Sequence, residues 1–132
     1  MPSEGGVLNK LFGYDIYEEY PTSPGIFVLN GFLYSLIGLY DFSTIDNSSL
    51  PLFTRGVESL KVFLTLFDTG QGSFYDLRHL SLKTEPNVAS WKYHTLHIYL
   101  LKLIFIITGE KNFDSVAERW ITYNNGKRAK HN

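Results

Sequence analysis

The side chains best suited to chemistry are concentrated between Ser73 and His97. This stretch contains two tyrosines, one arginine and three histidines, between segments that have the pattern of apolar helices. A connection so rich in ionisable and aromatic groups is typical of a functional surface. A second stretch of this kind is the run Tyr-Glu-Glu-Tyr at residues 17–20. We interpret these two stretches as the candidate site and the rest as scaffold.

Composition limits the classes of function. The chain has 132 residues, 44% of them hydrophobic, with nine Tyr and ten Phe, which is enough apolar matter for one folded domain. The net charge of −1 argues against a nucleic-acid-binding protein, which usually carries a basic face. The absence of cysteine excludes disulfides and thiolate metal sites. The aromatic excess suits a groove for sugar rings or peptides as well as a core.

The chain offers weak signals for a metal or a membrane. His94 and His97 have helical i,i+3 spacing, but no third ligand accompanies them, so we predict no metal site. The longest apolar run, Ile98 to Ile107, is too short to span a bilayer and contains Lys102. Residues 1–10 lack the apolar core of a secretory signal. Any membrane anchor is therefore expected outside this chain.

The elements that must position the site are mainly helices. Ser23 and Pro24 favour a helix start, Asp41 to Pro51 reads as a polar connection, and Gly109 suits a helix end. The periodicity predicts helices over 24–40, 53–67, 91–108 and 113–124, a short strand over 74–77, and irregular structure over 1–16.

The predicted fold class is therefore mainly α. The two αα-hairpins, with a short β element, are expected to form part of an α/α-barrel, a toroid-like domain. Such toroids usually need more than two helix pairs to cover their apolar faces, so we predict that residues 1–132 are one segment of a longer protein.

Several blocks of sequence, in order, carry a resemblance. They are Tyr17 to Thr22 (YEEYPT), Phe27 to Phe32 (FVLNGF), Tyr34 to Asp41 (YSLIGLYD), Glu58 to Lys61 (ESLK), Asp68 to Gly70 (DTG), Tyr75 to His79 (YDLRH), Tyr93 to Thr95 (YHT) and Arg128 to Asn132 (RAKHN). From about Val7 onward the chain resembles the C-terminal part of the D-glucuronyl C5-epimerase family.

The resemblance implies an activity and a setting. The family removes the C5 proton of a D-glucuronic acid residue in heparosan or N-sulfated heparan sulfate and returns one from the opposite face, which gives L-iduronic acid. It needs no cofactor. It also implies an α/α-barrel-like domain that follows β-rich domains, in a homodimeric protein of the Golgi membrane with its catalytic part on the lumenal side.

Residue-by-residue matching then gives a candidate site. Glu19 and Tyr93 are expected to be the acid and base on opposite faces of the sugar, with Tyr75 as a third phenol that is catalytic or positions the substrate. Arg78 is expected to bind the uronate carboxylate through two parallel hydrogen bonds. Five further residues are candidates for contacts to hydroxyls or the carboxylate: Tyr20, Asn30, Tyr34, His79 and His94.

Other readings of the same residues remain open. Tyr75 and Tyr93 suit half-buried core positions, and Arg78 suits a structural ion pair with Asp76 or Glu85. Glu19 also suits the positive end of a helix dipole. Two functions compete with epimerisation: a non-catalytic module that binds acidic glycans, and a uronate polysaccharide lyase that shares the C5 proton abstraction.

Overall fold

Two short strands and five helices make up the part of the chain that the structure describes. The computed structural model describes residues 7–11, 14–18 and 25–124, with side chains for 14–17 and 25–124. The elements are β1 (Val7–Leu11), β2 (Tyr14–Glu18), α1 (Leu29–Ser43), α2 (Leu50–Phe63), α3 (Arg78–Ser81), α4 (Trp91–Thr108) and α5 (Lys111–Thr122). Short 3₁₀ helices at Asn47–Ser49 and Leu64–Phe67 precede and follow α2.

The helices pack as two antiparallel pairs. Helix α1 contacts α2, α4 contacts α5, and α1 also contacts α4, so that the two pairs share one core. Leu33 and Leu36 of α1, Leu101 and Ile104 of α4, and Trp120 of α5 are fully buried there. The predicted mainly α class with two αα-hairpins is confirmed, whereas the closed barrel stays a prediction. In the described residues, no helix is long and apolar enough to cross a bilayer.

Helix α4 has the boundaries that its local signals predict. Ser90 is the N-cap, and its side chain accepts a hydrogen bond from the backbone N–H of Tyr93. At the other end Gly109 adopts φ 72°, a left-handed conformation that costs glycine little. Both signals act within one helical turn, which explains why the sequence alone locates this helix.

Helix α1 begins at Leu29, later than the predicted start at residue 24. Phe27 has φ 60° and Val28 is extended, so neither residue continues a helix. The backbone N–H of Leu29 donates to the carbonyl of Tyr75 at 3.0 Å, a tertiary contact that fixes this entry. The prediction of helix over 24–28 was wrong for the described residues 25–28, and Ser23 and Pro24 lie outside the described residues.

The β structure also differs from the prediction. Residues 1–16 were expected to be irregular, but β1 and β2 pair antiparallel with Leu8 opposite Tyr17. Ile16 and Tyr17 are both buried, and the Tyr17 hydroxyl donates to the carbonyl of Leu52 at 2.6 Å. The hairpin therefore exists because it packs onto α2, and sequence alternation alone did not reveal it.

The predicted strand over 74–77 is absent from the described structure. In that stretch only Phe74 forms a bridge, to Val88, and the chain turns at Leu77 into the short helix α3. The Asp76 carboxylate accepts from the backbone N–H of Arg78 at 3.1 Å, a local hydrogen bond that favours a turn over an extended strand.

Candidate active site

Tyr75 and Tyr93 lie together on the wall of one open cavity. Their ring centroids are 4.8 Å apart and the ring planes meet at 73°, an edge-to-face contact. The cavity has a volume of about 280 Å³ and is lined by Tyr75, Tyr93 and the segment Asn87–Ser90. This volume is close to the lower end of ligand pockets, roughly 300 Å³, and suits one unit of a larger ligand.

The backbone around Tyr75 is held from both sides. On one side the N–H of Leu77 donates to Ile26 at 2.7 Å, and the carbonyl of Tyr75 accepts from Leu29. On the other side the N–H of Tyr75 donates to the carbonyl of Asn87 at 2.8 Å. Tyr75 is therefore fixed although it lies outside any helix or strand, and a fixed backbone is what a catalytic side chain requires.

Tyr93 is positioned by the first turn of α4. Ser90, the N-cap of that helix, also lines the cavity, so the end of the helix forms part of the wall. The next residue, His94, is 1% exposed and points into the core, where its ring lies 5.5 Å from that of Trp120. The helix thus carries Tyr93 at the cavity and anchors it through a buried neighbour.

A buried network joins α4 to the Tyr75 segment. The Oγ atom of Ser73 lies 2.8 Å from Nδ1 of His94 and 2.9 Å from Nδ1 of His97, while Nε2 of His94 lies 3.0 Å from the carbonyl of Trp120. Because a carbonyl only accepts, we assign the proton of His94 to Nε2. Ser73 then donates to His94 and accepts from Nδ1–H of His97.

Burial keeps His97 neutral. Burial, and secondarily the nearby His94, lower the pKa of His97 from 6.5 to about 3. In the described part of the chain, the buried Nε2 of His97 and the buried indole N–H of Trp120 have no hydrogen-bond partner. His97 therefore acts as a neutral support for the Ser73 segment.

Arg78 is bound to Asp76. Its Nη2 lies 2.8 Å from Oδ2 of Asp76, and its Nε lies 3.1 Å from both carboxylate oxygens. This hydrogen bond, reinforced by the charge of Asp76, raises the pKa of Arg78, and the nearby Tyr75 adds to the effect. The structural pair expected as an alternative is present, with Asp76 and not Glu85 as its partner.

The other predicted residues are spread around this centre. The Asn30 Oδ1 and the His79 Nδ1 are buried without a hydrogen-bond partner among the described residues, and the His79 ring lies 4.6 Å from that of Phe74. Tyr34 is 48% exposed on α1. None of these three lines the cavity, and His94 is inside the core. Glu19 and Tyr20 lie outside the described residues.

Four residues of the cavity wall were missed by sequence reasoning: Asn87, Val88, Ala89 and Ser90. Nothing in the local sequence of residues 87–90 indicates that this segment folds back onto Tyr75. Ser90 is a residue type that favours an N-cap, a signal that bears on the start of α4 and not on a role in the site.

A family model described as D-glucuronyl C5-epimerase C-terminus matches residues 1–122. The chain belongs to this family. It is 51% identical to the D-glucuronyl C5-epimerase of Caenorhabditis elegans over 98% of the chain, which corresponds to 23% of that relative. It is also 29% identical to an uncharacterized protein of Methanocaldococcus jannaschii over 91% of the chain and 39% of that protein. This member of the epimerase family thus spans about a quarter of the length of its nematode relative.

Proposed function

We propose that the protein carrying this chain epimerises D-glucuronic acid residues at C5 to L-iduronic acid within heparosan or heparan sulfate. The observation that carries the proposal is the contact between Tyr75 and Tyr93 on the wall of an open cavity, in a chain of the epimerase family. A homodimeric protein at the lumenal side of the Golgi membrane, anchored outside this chain, is part of the same proposal.

The reaction requires groups of two kinds. Removing the C5 proton, which is α to a carboxylate, builds negative charge on a group that is already negative, so a cation must neutralise that carboxylate. A base on one face of the sugar and an acid on the other then exchange the proton. Arg78 supplies the cation, and the phenols of Tyr75 and Tyr93 are candidates for the proton transfer.

The contact between the two phenols bears on their roles. A sugar between two aromatic rings would hold them roughly 7–8 Å apart, twice the ~3.5–4.0 Å contact distance between carbon atoms. Their centroids are 4.8 Å apart, so no sugar fits between them. We therefore assign Tyr75 and Tyr93 to the same face of the uronate and Glu19 to the opposite face, with C5 between Tyr93 and Glu19.

The test is isotope exchange at C5. The full-length protein is incubated with heparosan in heavy water, and deuterium at C5 is measured by mass spectrometry or NMR. We expect Tyr93→Phe to lower the exchange rate by roughly 10²- to 10⁴-fold, the usual contribution of one positioned acid or base. Combining it with Glu19→Gln should abolish exchange above background.

Tyr99→Phe is the matched control, because Tyr99 lies on the same helix but is 60% exposed, away from the cavity wall. It should exchange deuterium at the wild-type rate. A wild-type protein that binds heparosan without exchange would replace the proposal with a binding module. An unsaturated product that absorbs in the ultraviolet would replace it with a lyase.

A further inference from the structure

Asp76 is a buried carboxylate to which the proposed reaction gives no role. Its side chain is 0% exposed, yet it accepts four hydrogen-bond donors. Three come from Arg78, namely the backbone N–H, Nε and Nη2, and the fourth is the amide of Asn87 at 3.3 Å. A buried carboxylate with this many donors fixes the positions of the groups that bind it.

The pair leaves one edge of the guanidinium open. Asp76 occupies the side edge of Arg78, formed by Nε and Nη2. Among the described residues, Nη1 of Arg78 has no hydrogen-bond partner, and the side chain is 38% exposed. The end edge, formed by Nη1 and the second N–H of Nη2, therefore remains available to a second carboxylate in the same two-bond geometry.

Asp76 also connects this guanidinium to the cavity. The amide of Asn87, which donates to Asp76, belongs to the cavity wall, and the backbone carbonyl of Asn87 accepts from Tyr75. One carboxylate thus sets the position of Arg78 relative to Tyr75. A long, flexible arginine held in this way loses less conformational freedom when it binds a ligand.

We propose that Asp76 is a positioning residue that orients Arg78 so that its open edge receives the uronate carboxylate of the substrate. The inference rests on the proposed function and deepens it. Asp76 itself does not contact the substrate. Its removal should therefore weaken substrate binding through Arg78 and the neutralisation of the developing charge, while the position of Tyr93 is unchanged.

The test is a double-mutant cycle on the full-length protein, with deuterium exchange measured against heparosan concentration. We expect Asp76→Asn to raise KM by about 3- to 10-fold, the cost of ordering one mobile side chain on binding, and to lower kcat as well, because the cation that neutralises the developing charge is less well placed. In the background of Arg78→Gln, the same substitution should change kcat/KM by less than about twofold, because the guanidinium that Asp76 orients is gone.

Asp68→Asn is the matched control. Asp68 accepts from the Gly70 backbone and pairs with Arg119, so the substitution removes a carboxylate–arginine pair from the same region without touching the cavity wall. It should leave KM unchanged. If Asp76→Asn does not fold, Asp76→Glu keeps the charge but displaces the guanidinium, and it should raise KM in the same way.

Two results would overturn the proposal. One is an equal loss of kcat/KM from Asp76→Asn in the wild-type and Arg78→Gln backgrounds. The effects of the two substitutions would then simply add, as they do when Asp76 acts on the structure in general and not through Arg78. The other is a fall in kcat at constant KM, which indicates a smaller folded fraction. Failure of the proposed function is distinct, because then the wild-type protein would show no exchange.

Discussion

Replacing His97 by asparagine tests whether the core holds a neutral imidazole. His97 is 0% exposed, and its Nδ1 lies 2.9 Å from Oγ of Ser73. The amide of asparagine can keep a donor toward Ser73, but it cannot titrate. The variant therefore removes the proton equilibrium while it preserves the polarity of the contact.

The expected magnitude follows from the pKa of His97, which is about 3 in the folded chain against an ordinary 6.5. Between these values the unfolded chain binds a proton that the folded chain does not. The contribution of His97 to the free energy of unfolding is therefore fully present above pH 6.5. It falls as the pH decreases toward 3, by about 1.4 kcal/mol per pH unit. From pH 6.5 to 5 the contribution of His97 amounts to about 2 kcal/mol.

The assay is urea denaturation at several pH values, followed by tryptophan fluorescence, to which the buried Trp120 and the more exposed Trp91 contribute. We expect His97→Asn to lower the free energy of unfolding at pH 7 by roughly 1–3 kcal/mol and to lose less stability on acidification than wild type. The control is Ile104→Val, a substitution at a buried position of the same helix. It should also lower the free energy of unfolding, but the pH dependence of that free energy should stay as in wild type. A His97→Asn variant with the wild-type slope would refute the reasoning.

Three further predictions concern the scaffold. Gly56→Ala should lower stability by about 1–3 kcal/mol in urea denaturation, because the added Cβ would meet Leu36 and lie 2.8 Å from the ring of Tyr17. Ser90→Ala should cost about 1 kcal/mol by thermal unfolding, since it removes the cap that accepts from Tyr93. Burial, aided by the charge of Asp15, raises the pKa of Tyr17 to about 12, so its absorbance at alkaline pH should titrate later than that of free tyrosine, near 10. The contribution of neutral Tyr17 to the free energy of unfolding should be fully present below pH 10 and lost as the pH rises toward 12.

Local sequence signals predicted a helix correctly where residues within that helix determine its boundaries. Helix α4 has a serine cap, an apolar run and a terminal glycine, and its observed range Trp91–Thr108 matches the prediction. The start of α1 was different, since Phe27 is held in a left-handed conformation between two backbone contacts to Tyr75 and Leu77. Those contacts come from distant sequence, and no local pattern contains them.

The candidate site could be predicted only in part, because some of its contacts come from residues distant in sequence. The family blocks pointed to Tyr75 and Tyr93, and the structure brings these two together. They also pointed to His94, which is next to Tyr93 in sequence but lies inside the core. Helical geometry turns neighbouring side chains about 100° apart, so adjacency in a motif does not place two residues on one surface. The role of Asn87 depends on a loop that folds back onto Tyr75, and no local sequence pattern predicts that contact.

The backbone of the segment Ser73–Leu77 is joined to Ile26 and Leu29 at the start of the first hairpin and to Asn87 and Ala89 ahead of the second. The cavity wall itself comes from residues 75–93, and the hydrogen bonds to Ile26 and Leu29 hold this wall against the first hairpin. Such distant pairings form after local helices. We therefore expect the cavity wall to be completed late in folding. A sugar acid bound in this cavity would stabilise these pairings and raise the melting temperature.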